Sequence, residues 1–419
     1  MEKALLVTIR LDSEKDRWGI EDVSREMEAL ALTSGAQVVD NIICQRDKPT
    51  PNLFIGKGKA EELAFLCQEL DVATIIFSHN LSGTQQRNLD DIIDKKTIDR
   101  TQLILDIFAR HAKTPEGKMQ VELAQLQYLM PRLVGKGVML SRLGGGIGTR
   151  GPGEQKLEVD RRRIRKRIDK LKEDLRHLTL HRQTMRKKRK ENALPTVALV
   201  GYTNSGKSTL LNALTGASQI ISEGLFTTLD PISKSLQLPA GENIILSDTV
   251  GFLHNLPHHL IEAFKATLEE VIESDLLIHV LDASHPRVYE HAGAVITVLK
   301  ELQADKKPTI IALNKTDLLD DEIWLARLKK DFSNSIPISA KLKHNLDSLL
   351  KEVQENFQGQ MAKIEIFIPH SRLEVLDLLY RQGRVEEVKY QEKGAKVKVN
   401  LPKVLARKLL QNQEIKEIH

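Results

Sequence analysis

The chain has 419 residues, of which 41% are hydrophobic, and a formal net charge of +5; this length predicts about two to four domains. Two cysteines, Cys44 and Cys67, are too few for a disulfide framework and lack a metal-binding Cys-x-x-Cys spacing. The sequence shows no signal-peptide pattern, and no apolar run approaches the roughly 20 residues that span a bilayer. We therefore expect a soluble cytoplasmic monomer without stable membrane insertion, and we leave peripheral membrane contact open.

Residues 1–115 alternate strand and helix patterns and predict a small parallel α/β domain. Strand patterns occur at residues 5–9, 38–43 and 73–77. Helical patterns occur at residues 21–33, 59–69, 84–94 and 101–111.

Residues 116–194 predict an antiparallel helical hairpin, because two apolar seams share a heptad spacing. The first seam consists of Met119, Leu123, Leu126, Met130 and Leu133, and the second of Ile164, Ile168, Leu171, Leu175 and Leu178. Eight glycines between residues 135 and 153 predict a loop at the tip, where Arg142 and Arg150 can contact phosphates. Residues 156–191 carry 16 Lys and Arg against 6 Asp and Glu, which favours a polyanionic partner.

A glycine-rich loop at residues 201–209 indicates a nucleotide-binding domain, which we place at residues 195–357. The loop lies between a strand pattern at 196–200 and a helical pattern at 210–214. In a loop with this Gly-x4-Gly-Lys-Ser spacing, backbone N–H groups point toward bound phosphates. Lys207 can then reach the β and γ phosphates, and Ser208 can bind magnesium. The predicted phosphate-binding residues are Gly201, Tyr202, Thr203, Asn204, Ser205, Gly206, Lys207, Ser208 and Thr209.

The Asp-x-x-Gly run at residues 248–251 predicts a segment that contacts the γ-phosphate and helps to hold magnesium. Asp248 ends the strand pattern 243–247 and is expected to hold the ion directly or through water, whereas the Gly251 N–H would meet the γ-phosphate. The predicted nucleotide contacts here are Asp248, Thr249, Val250 and Gly251.

Residues 224–231 form the candidate first switch, which includes Phe226. A threonine hydroxyl in this segment would complete the magnesium shell; Thr228 is the expected ligand and Thr227 the alternative. The candidate metal ligands are thus Ser208, Thr228 and Asp248, and the candidate catalytic residues are Lys207, Thr228 and Gly251.

The residue after the Asp-x-x-Gly unit is Phe252, where Ras-like enzymes place the glutamine that orients the attacking water. A phenyl ring neither donates nor accepts a hydrogen bond. We therefore predict slow intrinsic hydrolysis that a partner accelerates.

The run Asn314-Lys315-Thr316-Asp317 follows a strand pattern at 309–313 and predicts guanine recognition. The Asp317 carboxylate can accept hydrogen bonds from N1–H and N2–H of guanine, donors that adenine lacks at that edge. Asn314 is expected to tie this loop to the phosphate loop, and Lys315 to cover the base. A third guanine-binding loop is predicted at Ser339, Ala340 and Lys341, although Ser339 alone fits a helix N-cap equally well.

Residues 358–419 predict a small α+β domain. Strand patterns occur at 364–368, 385–390 and 395–399, and helical patterns follow Ser371 and Leu401. Ser371 and Glu374 have the spacing of a capping box.

The sequence resembles the HflX family of ribosome-associated GTPases over nearly its whole length. Besides the nucleotide motifs, the resemblance is carried by residues 99–108, 116–126, 145–154 and 160–162. Gln155-Lys156 departs from the Thr-Gln or Ser-Gln expected after Glu154. The resemblance implies an α/β fold with a P-loop GTPase domain, preceded by a small parallel α/β domain with a coiled-coil hairpin and followed by a small α+β domain.

The resemblance also implies a function. A protein of this family would bind GTP or GDP with Mg²⁺, hydrolyse GTP, and act on the large ribosomal subunit and its ribosomal RNA, not on DNA. It would split or rescue stalled ribosomes under stress, and the ribosome would stimulate hydrolysis. The family resemblance adds minor ATPase activity, which Asp317 does not predict. Two alternatives remain open: a ribosome-assembly GTPase, and a signalling GTPase with a protein effector.

Overall fold

The computed structural model describes residues 2–12, 18–133, 152–191, 194–216, 225–226, 231–255, 257, 260, 268–359, 361–411 and 415–418. These residues form three β-sheets with covering helices. The chain divides into two compact units. The first is built on residues 1–178 and includes Leu225, Phe226, Pro257 and Leu260, and the second contains residues 179–221, 230–255 and 266–419.

The first unit contains a four-stranded parallel sheet. Its strands are β1 (Glu2–Leu11), β2 (Ala36–Arg46), β3 (Thr74–Phe77) and β4 (Lys96–Asp99). Its helices are α1 (Ile20–Thr33), α2 (Lys57–Glu69), α3 (Gly83–Ile93) and α4 (Arg100–His111). The order β2-β1-β3-β4, with every pair parallel, confirms the predicted parallel α/β arrangement. Strand β4 was not predicted, since Ile98 is the single apolar residue among its four and neither an apolar run nor an alternation marks the segment.

Two helices carry the predicted seams, and the first unit contains the whole of the first helix and the second helix as far as Leu178. They are α5 (Pro115–Leu129), followed by a 3₁₀ turn at Met130–Leu133, and α6 (Pro152–Glu191). Eight of the ten predicted seam residues share one apolar cluster, centred on the buried Leu123, Ile168 and Leu171. The predicted tip lies outside the described residues except for Pro152 and Gly153, which begin α6.

The second unit contains a six-stranded sheet in the order β10-β9-β8-β5-β7-β6, and only β6 runs antiparallel to its neighbour. Its strands are β5 (Thr196–Val200), β6 (Ile232–Gln237), β7 (Asn243–Asp248), β8 (Leu276–Asp282), β9 (Thr309–Asn314) and β10 (Ser335–Pro337). Its helices are α7 (Lys207–Thr215), α8 (Glu269–Glu273), α9 (Val288–Glu301), α10 (Glu322–Asp331) and α11 (Leu346–Gln358). The predicted nucleotide loops follow the carboxyl ends of β5, β7 and β9, where open α/β sheets bind their ligands.

The second unit ends in an antiparallel sheet in the order β12-β13-β11-β14. Its elements are β11 (Met361–Pro369), α12 (Glu374–Gln382), β12 (Arg384–Gln391), β13 (Gly394–Pro402), α13 (Lys403–Leu410) and β14 (Lys416–Glu417). The predicted capping box is wrong: Ser371 lies within a 3₁₀ turn, and the N-cap of α12 is Leu373. Among the helices that can be described, none combines the length and apolar character needed to cross a membrane.

Candidate nucleotide-binding site

The phosphate loop joins β5 to the N-terminus of α7. Gly206 is the N-cap of α7 and has φ of 95°, in the left-handed region. A Cβ atom at this position would lie 2.2 Å from Asn314 Nδ2, so a side chain could not be accommodated. The first N–H groups of α7 have no partner within the helix, and such helix ends attract anions.

Lys207 is buried inside this loop. Its Nζ atom donates hydrogen bonds to the carbonyl oxygens of Gly201 at 3.1 Å and Tyr202 at 2.9 Å. Burial lowers the pKa of Lys207 to about 8, and the nearby Asp248 carboxylate opposes that shift. A polyphosphate next to the ammonium would add negative charge and raise the pKa again, so anion binding and protonation of Lys207 favour each other.

Ser208 and Asp248 form a pair of oxygen ligands of the kind that Mg²⁺ prefers. Ser208 lies in the first turn of α7, and Asp248 is fully buried at the end of β7. The Ser208 hydroxyl donates to Asp248 Oδ2 at 2.6 Å. One hydroxyl and one carboxylate, completed by phosphate oxygens and water, fit a magnesium ion. Thr227 and Thr228, the alternative third ligands, lie outside the described residues.

The chain after β7 runs directly against the phosphate loop. A Cβ atom at Gly251 would lie 2.9 Å from Thr203 Cα and 3.1 Å from Lys207 Nζ, so the absence of a side chain permits this approach. Thr249 is held by donation from its hydroxyl to Leu199 O at 2.6 Å.

Phe252 places its side chain in the core, where it is 2% exposed. Its backbone forms a short parallel bridge with Tyr202. The Phe252 N–H donates to Gly201 O at 3.1 Å, and Thr203 N–H donates to Phe252 O at 2.8 Å. The buried ring contributes no polar group to the site, so residue 252 can act there only through its backbone groups.

Asn314 joins three loops through its side-chain amide. It is 2% exposed at the end of β9. Its Nδ2 donates to Ser205 O at 2.8 Å, and its Oδ1 accepts from Ala340 N at 3.0 Å. The structure therefore contains the tie to the phosphate loop that the sequence predicted, together with a bond to the Ser339-Ala340-Lys341 segment.

Asp317 is oriented by Ser339, whose hydroxyl donates to Asp317 Oδ1 at 2.5 Å. The same hydroxyl accepts from Leu342 N at 3.1 Å, so Ser339 both caps the local backbone and holds the Asp317 carboxylate. Lys315 adopts φ of 63°, and its ammonium lies 2.7 Å from Asp282 Oδ2. Thr316 donates to Ile338 O at 2.9 Å. Lys341 is exposed.

The predicted first switch is described only at Leu225 and Phe226. Phe226 is buried with φ of 57°, a strained value for a bulky residue. Within the first unit its ring centroid lies 4.5 Å from that of Phe108, and Leu225 N donates to Thr33 Oγ1 at 3.1 Å. Phe226, predicted as a nucleotide contact, thus packs against an aromatic residue of α4.

Sequence reasoning did not identify several residues that surround the site. Asp282 pairs with Lys315, and its position at the carboxyl end of β8 was the available signal. His279 lies on β8 and is 4% exposed; burial, followed by the positive charge of Lys207, lowers its pKa to about 4. His291 stacks on the Tyr202 ring, a contact that local sequence spacing does not reveal.

Four family models match consecutive parts of the chain. They are described as GTP-binding GTPase N-terminal at residues 21–109, GTP-binding GTPase Middle Region at 111–189, 50S ribosome-binding GTPase at 196–315, and HflX C-terminal domain at 325–414.

Similar whole proteins carry the same family name. "GTPase HflX" of Caldanaerobacter subterraneus subsp. tengcongensis is 47% identical over 401 residues, with 96% of this chain and 91% of the relative covered. "GTPase HflX" of Escherichia coli K12 is 40% identical over 414 residues, with 98% and 96% covered. Among solved structures, the crystal structure of the SsGBP–GDP complex is 26% identical, with a TM-score of 0.49 and coverage of 85% of this chain and 98% of that one.

Proposed function

Since the chain belongs to the HflX family of GTPases, we propose that it uses Mg²⁺-dependent GTP hydrolysis to act on the large ribosomal subunit. The observation that carries the GTP-binding part of this proposal is the position of Asn314. Its amide joins the phosphate loop to the Ala340 backbone, and Asp317 lies three residues further on. One side chain therefore links the elements that would bind phosphates to those that would bind guanine.

The residues of the site have distinct parts in this proposal. Lys207 and the α7 N-terminus neutralise phosphate charge, and the Gly251 N–H faces the γ-phosphate. Ser208, Asp248 and Thr228 would hold Mg²⁺, which when bound would supply positive charge to offset the negative charge of the phosphates. The Asp317 carboxylate selects guanine over adenine, so ATP turnover is expected to be minor.

Hydrolysis is expected to be slow without a partner, because Phe252 supplies no water-orienting group. A partner that orders the site would raise the rate, as activators do for other GTPases. We propose that the large ribosomal subunit is this partner. The 50S ribosome-binding description of the family model at residues 196–315 supports that assignment.

The charge of α6 supports contact with ribosomal RNA. It exposes the cations Arg162, Arg163, Arg165, Lys166, Arg167, Lys170, Lys172 and Arg176, of which Arg167 pairs with Glu122 at 2.6 Å. Phosphate contacts by Lys and Arg give sequence-independent, salt-sensitive binding. We propose that residues 116–194 form a helical hairpin that contacts the subunit and that residues 195–357 form the GTPase domain. Residues 1–115 form the N-terminal domain and residues 358–419 the C-terminal domain. In this proposal GTP sets the binding state, and the protein splits or rescues stalled ribosomes in the cytoplasm.

Charge reversal on α6 tests the ribosomal part. Replacing Arg162, Arg163 and Lys166 by Glu should weaken binding to large subunits and flatten its dependence on salt. Each lost phosphate contact should reduce the slope of log K against log salt by roughly 0.7–0.9. Basal GTP turnover should stay unchanged, since these side chains are far in sequence from the nucleotide motifs.

Lys329→Glu with Lys330→Glu is a control for charge reversal elsewhere on the surface, because both lysines are exposed on α10. This control should bind large subunits as the wild-type protein does. Unchanged binding and salt dependence in the α6 variant would reject an RNA partner and favour a protein effector. Binding that is restricted to immature subunits would favour the assembly alternative.

A further inference from the structure

The Tyr202 ring occupies a fixed place between the phosphate loop and α9. It is 5% exposed and stacks parallel to the His291 ring, with centroids 3.9 Å apart and planes at 2°. His291 in turn lies 4.3 Å from the His285 ring in the turn that precedes α9. Such flat contacts restrict the position of a ring through packing and electrostatics. Residues outside the phosphate loop, chiefly His291, therefore orient the phenol of Tyr202.

The Tyr202 hydroxyl reaches the segment that follows Gly251. Its oxygen accepts a hydrogen bond from the His254 backbone N–H at 2.9 Å. The neighbouring bonds across this bridge, from Phe252 N to Gly201 O and from Thr203 N to Phe252 O, join backbone to backbone. The Tyr202 hydroxyl thus adds a side-chain bond to residues 252–254 that a substitution can remove without changing the backbone pairing.

We propose that Tyr202 is a positioning residue for GTP hydrolysis, and this inference rests on the proposed function. Because the Phe252 ring is buried, the site depends on backbone groups of this segment to face the reacting phosphate. Backbone donors stabilise developing charge only when they are held in place beforehand. The Tyr202 hydroxyl, seated by His291, holds the chain after Gly251 so that the Gly251 N–H keeps its direction.

A role in packing alone predicts a different result for Tyr202→Phe. This variant retains the ring and its stack on His291 but removes the hydroxyl that accepts from His254. If the ring only fills space, the rate of hydrolysis will not change. If the hydroxyl positions residues 252–254, hydrolysis will slow while nucleotide binding, which uses the backbone and Lys207, will not.

The test is single-turnover GTP hydrolysis, measured together with the affinity for a fluorescent GDP analogue. For Tyr202→Phe we expect a rate about 3- to 10-fold below wild type, the size associated with one hydrogen bond, and an affinity within about twofold. The matched control is Tyr289→Phe, which removes the phenol of a half-buried residue of α9 that donates to Asp331 Oδ2 at 2.6 Å. This control should hydrolyse GTP at the wild-type rate.

A second pair of variants tests the stack. His291→Ala should lower the rate, and His291→Phe, which restores a flat ring, should recover most of it. If thermal unfolding shows that a His291 variant does not fold, the comparison of Tyr202→Phe with wild type decides. An unchanged rate in Tyr202→Phe, or an equal loss of rate and GDP affinity, overturns the inference while leaving a GTPase. Absence of GTP hydrolysis in the wild type would instead reject the proposed function.

Discussion

Replacement of Asn314 by Asp tests whether one amide holds the nucleotide site together. The substitution keeps the size of the side chain and an oxygen that can accept from Ala340 N. It removes the Nδ2 donor that lies 2.8 Å from Ser205 O and turns a carboxylate oxygen toward that carbonyl. The phosphate loop would lose its tie to the guanine-binding loop.

The size of the effect follows from the burial of the partners. Ser205 is 1% exposed and Asn314 is 2% exposed, so water cannot replace the lost donor. A buried acceptor left without a donor costs about 1–3 kcal/mol. Relaxation of the two loops in the free protein would convert this cost into weaker GDP binding, with a dissociation constant raised by at most about 5- to 150-fold at a factor of ten for each 1.4 kcal/mol.

Titration with a fluorescent GDP analogue measures this effect, and urea unfolding of the same samples shows any part expressed as lost stability. Asn356→Asp is the matched control, because Asn356 is exposed on α11 and its amide donates to Glu352 O within the same helix. The control should bind GDP as wild type does. GDP binding within twofold of wild type and unchanged unfolding in Asn314→Asp would refute the argument.

Further predictions concern the GTPase domain, the helical hairpin and the stability of the protein at low pH. Lys207→Ala should abolish GTP turnover in a phosphate-release assay, whereas deletion of residues 142–153 should leave basal turnover intact. Loss of turnover in a folded deletion variant would contradict the proposal that the GTPase domain hydrolyses GTP independently of the hairpin. Leu171→Ala should lower the free energy of unfolding by about 2–5 kcal/mol, because Leu171 is fully buried in the seam, and GDP affinity should not change. Burial lowers the pKa of His279 in the native state to about 4, whereas in the unfolded chain this side chain has the usual histidine pKa of about 6.5. Between these two pH values the unfolded chain binds a proton at His279 and the native state does not. The free energy of unfolding should therefore fall by about 3 kcal/mol as the pH drops from 6.5 to 4; urea unfolding of His279→Leu should lack this part of the decline, and an identical pH profile would reject the assignment.

The features that sequence predicted are those with local spacing. The phosphate loop, the Asp-x-x-Gly unit and the Asn-Lys-x-Asp run each lie within a few residues, and the parallel sheet confirms how strands and helices alternate. Eight of the ten residues of the two heptad seams also lie in one cluster. Periodicity records which side of an element is apolar, and here that was enough to pair the helices.

The features that sequence missed depend on contacts between distant segments. The stack of Tyr202 on His291 joins residues from two different elements, and neither residue belongs to a pattern that requires the other. The same is true of the Lys315–Asp282 ion pair. Ser371 had the spacing of a cap, but the preceding 3₁₀ turn placed the start of α12 beyond its reach. Local preference was overridden by the path of the chain.

The most direct test of the central claim is GTP turnover by the purified protein with and without large ribosomal subunits, run beside ATP. We expect slow turnover of GTP alone, strong and salt-sensitive stimulation by the subunits, and little turnover of ATP. A high basal GTPase rate that the subunits leave unchanged would contradict both the partner and the consequence drawn from Phe252.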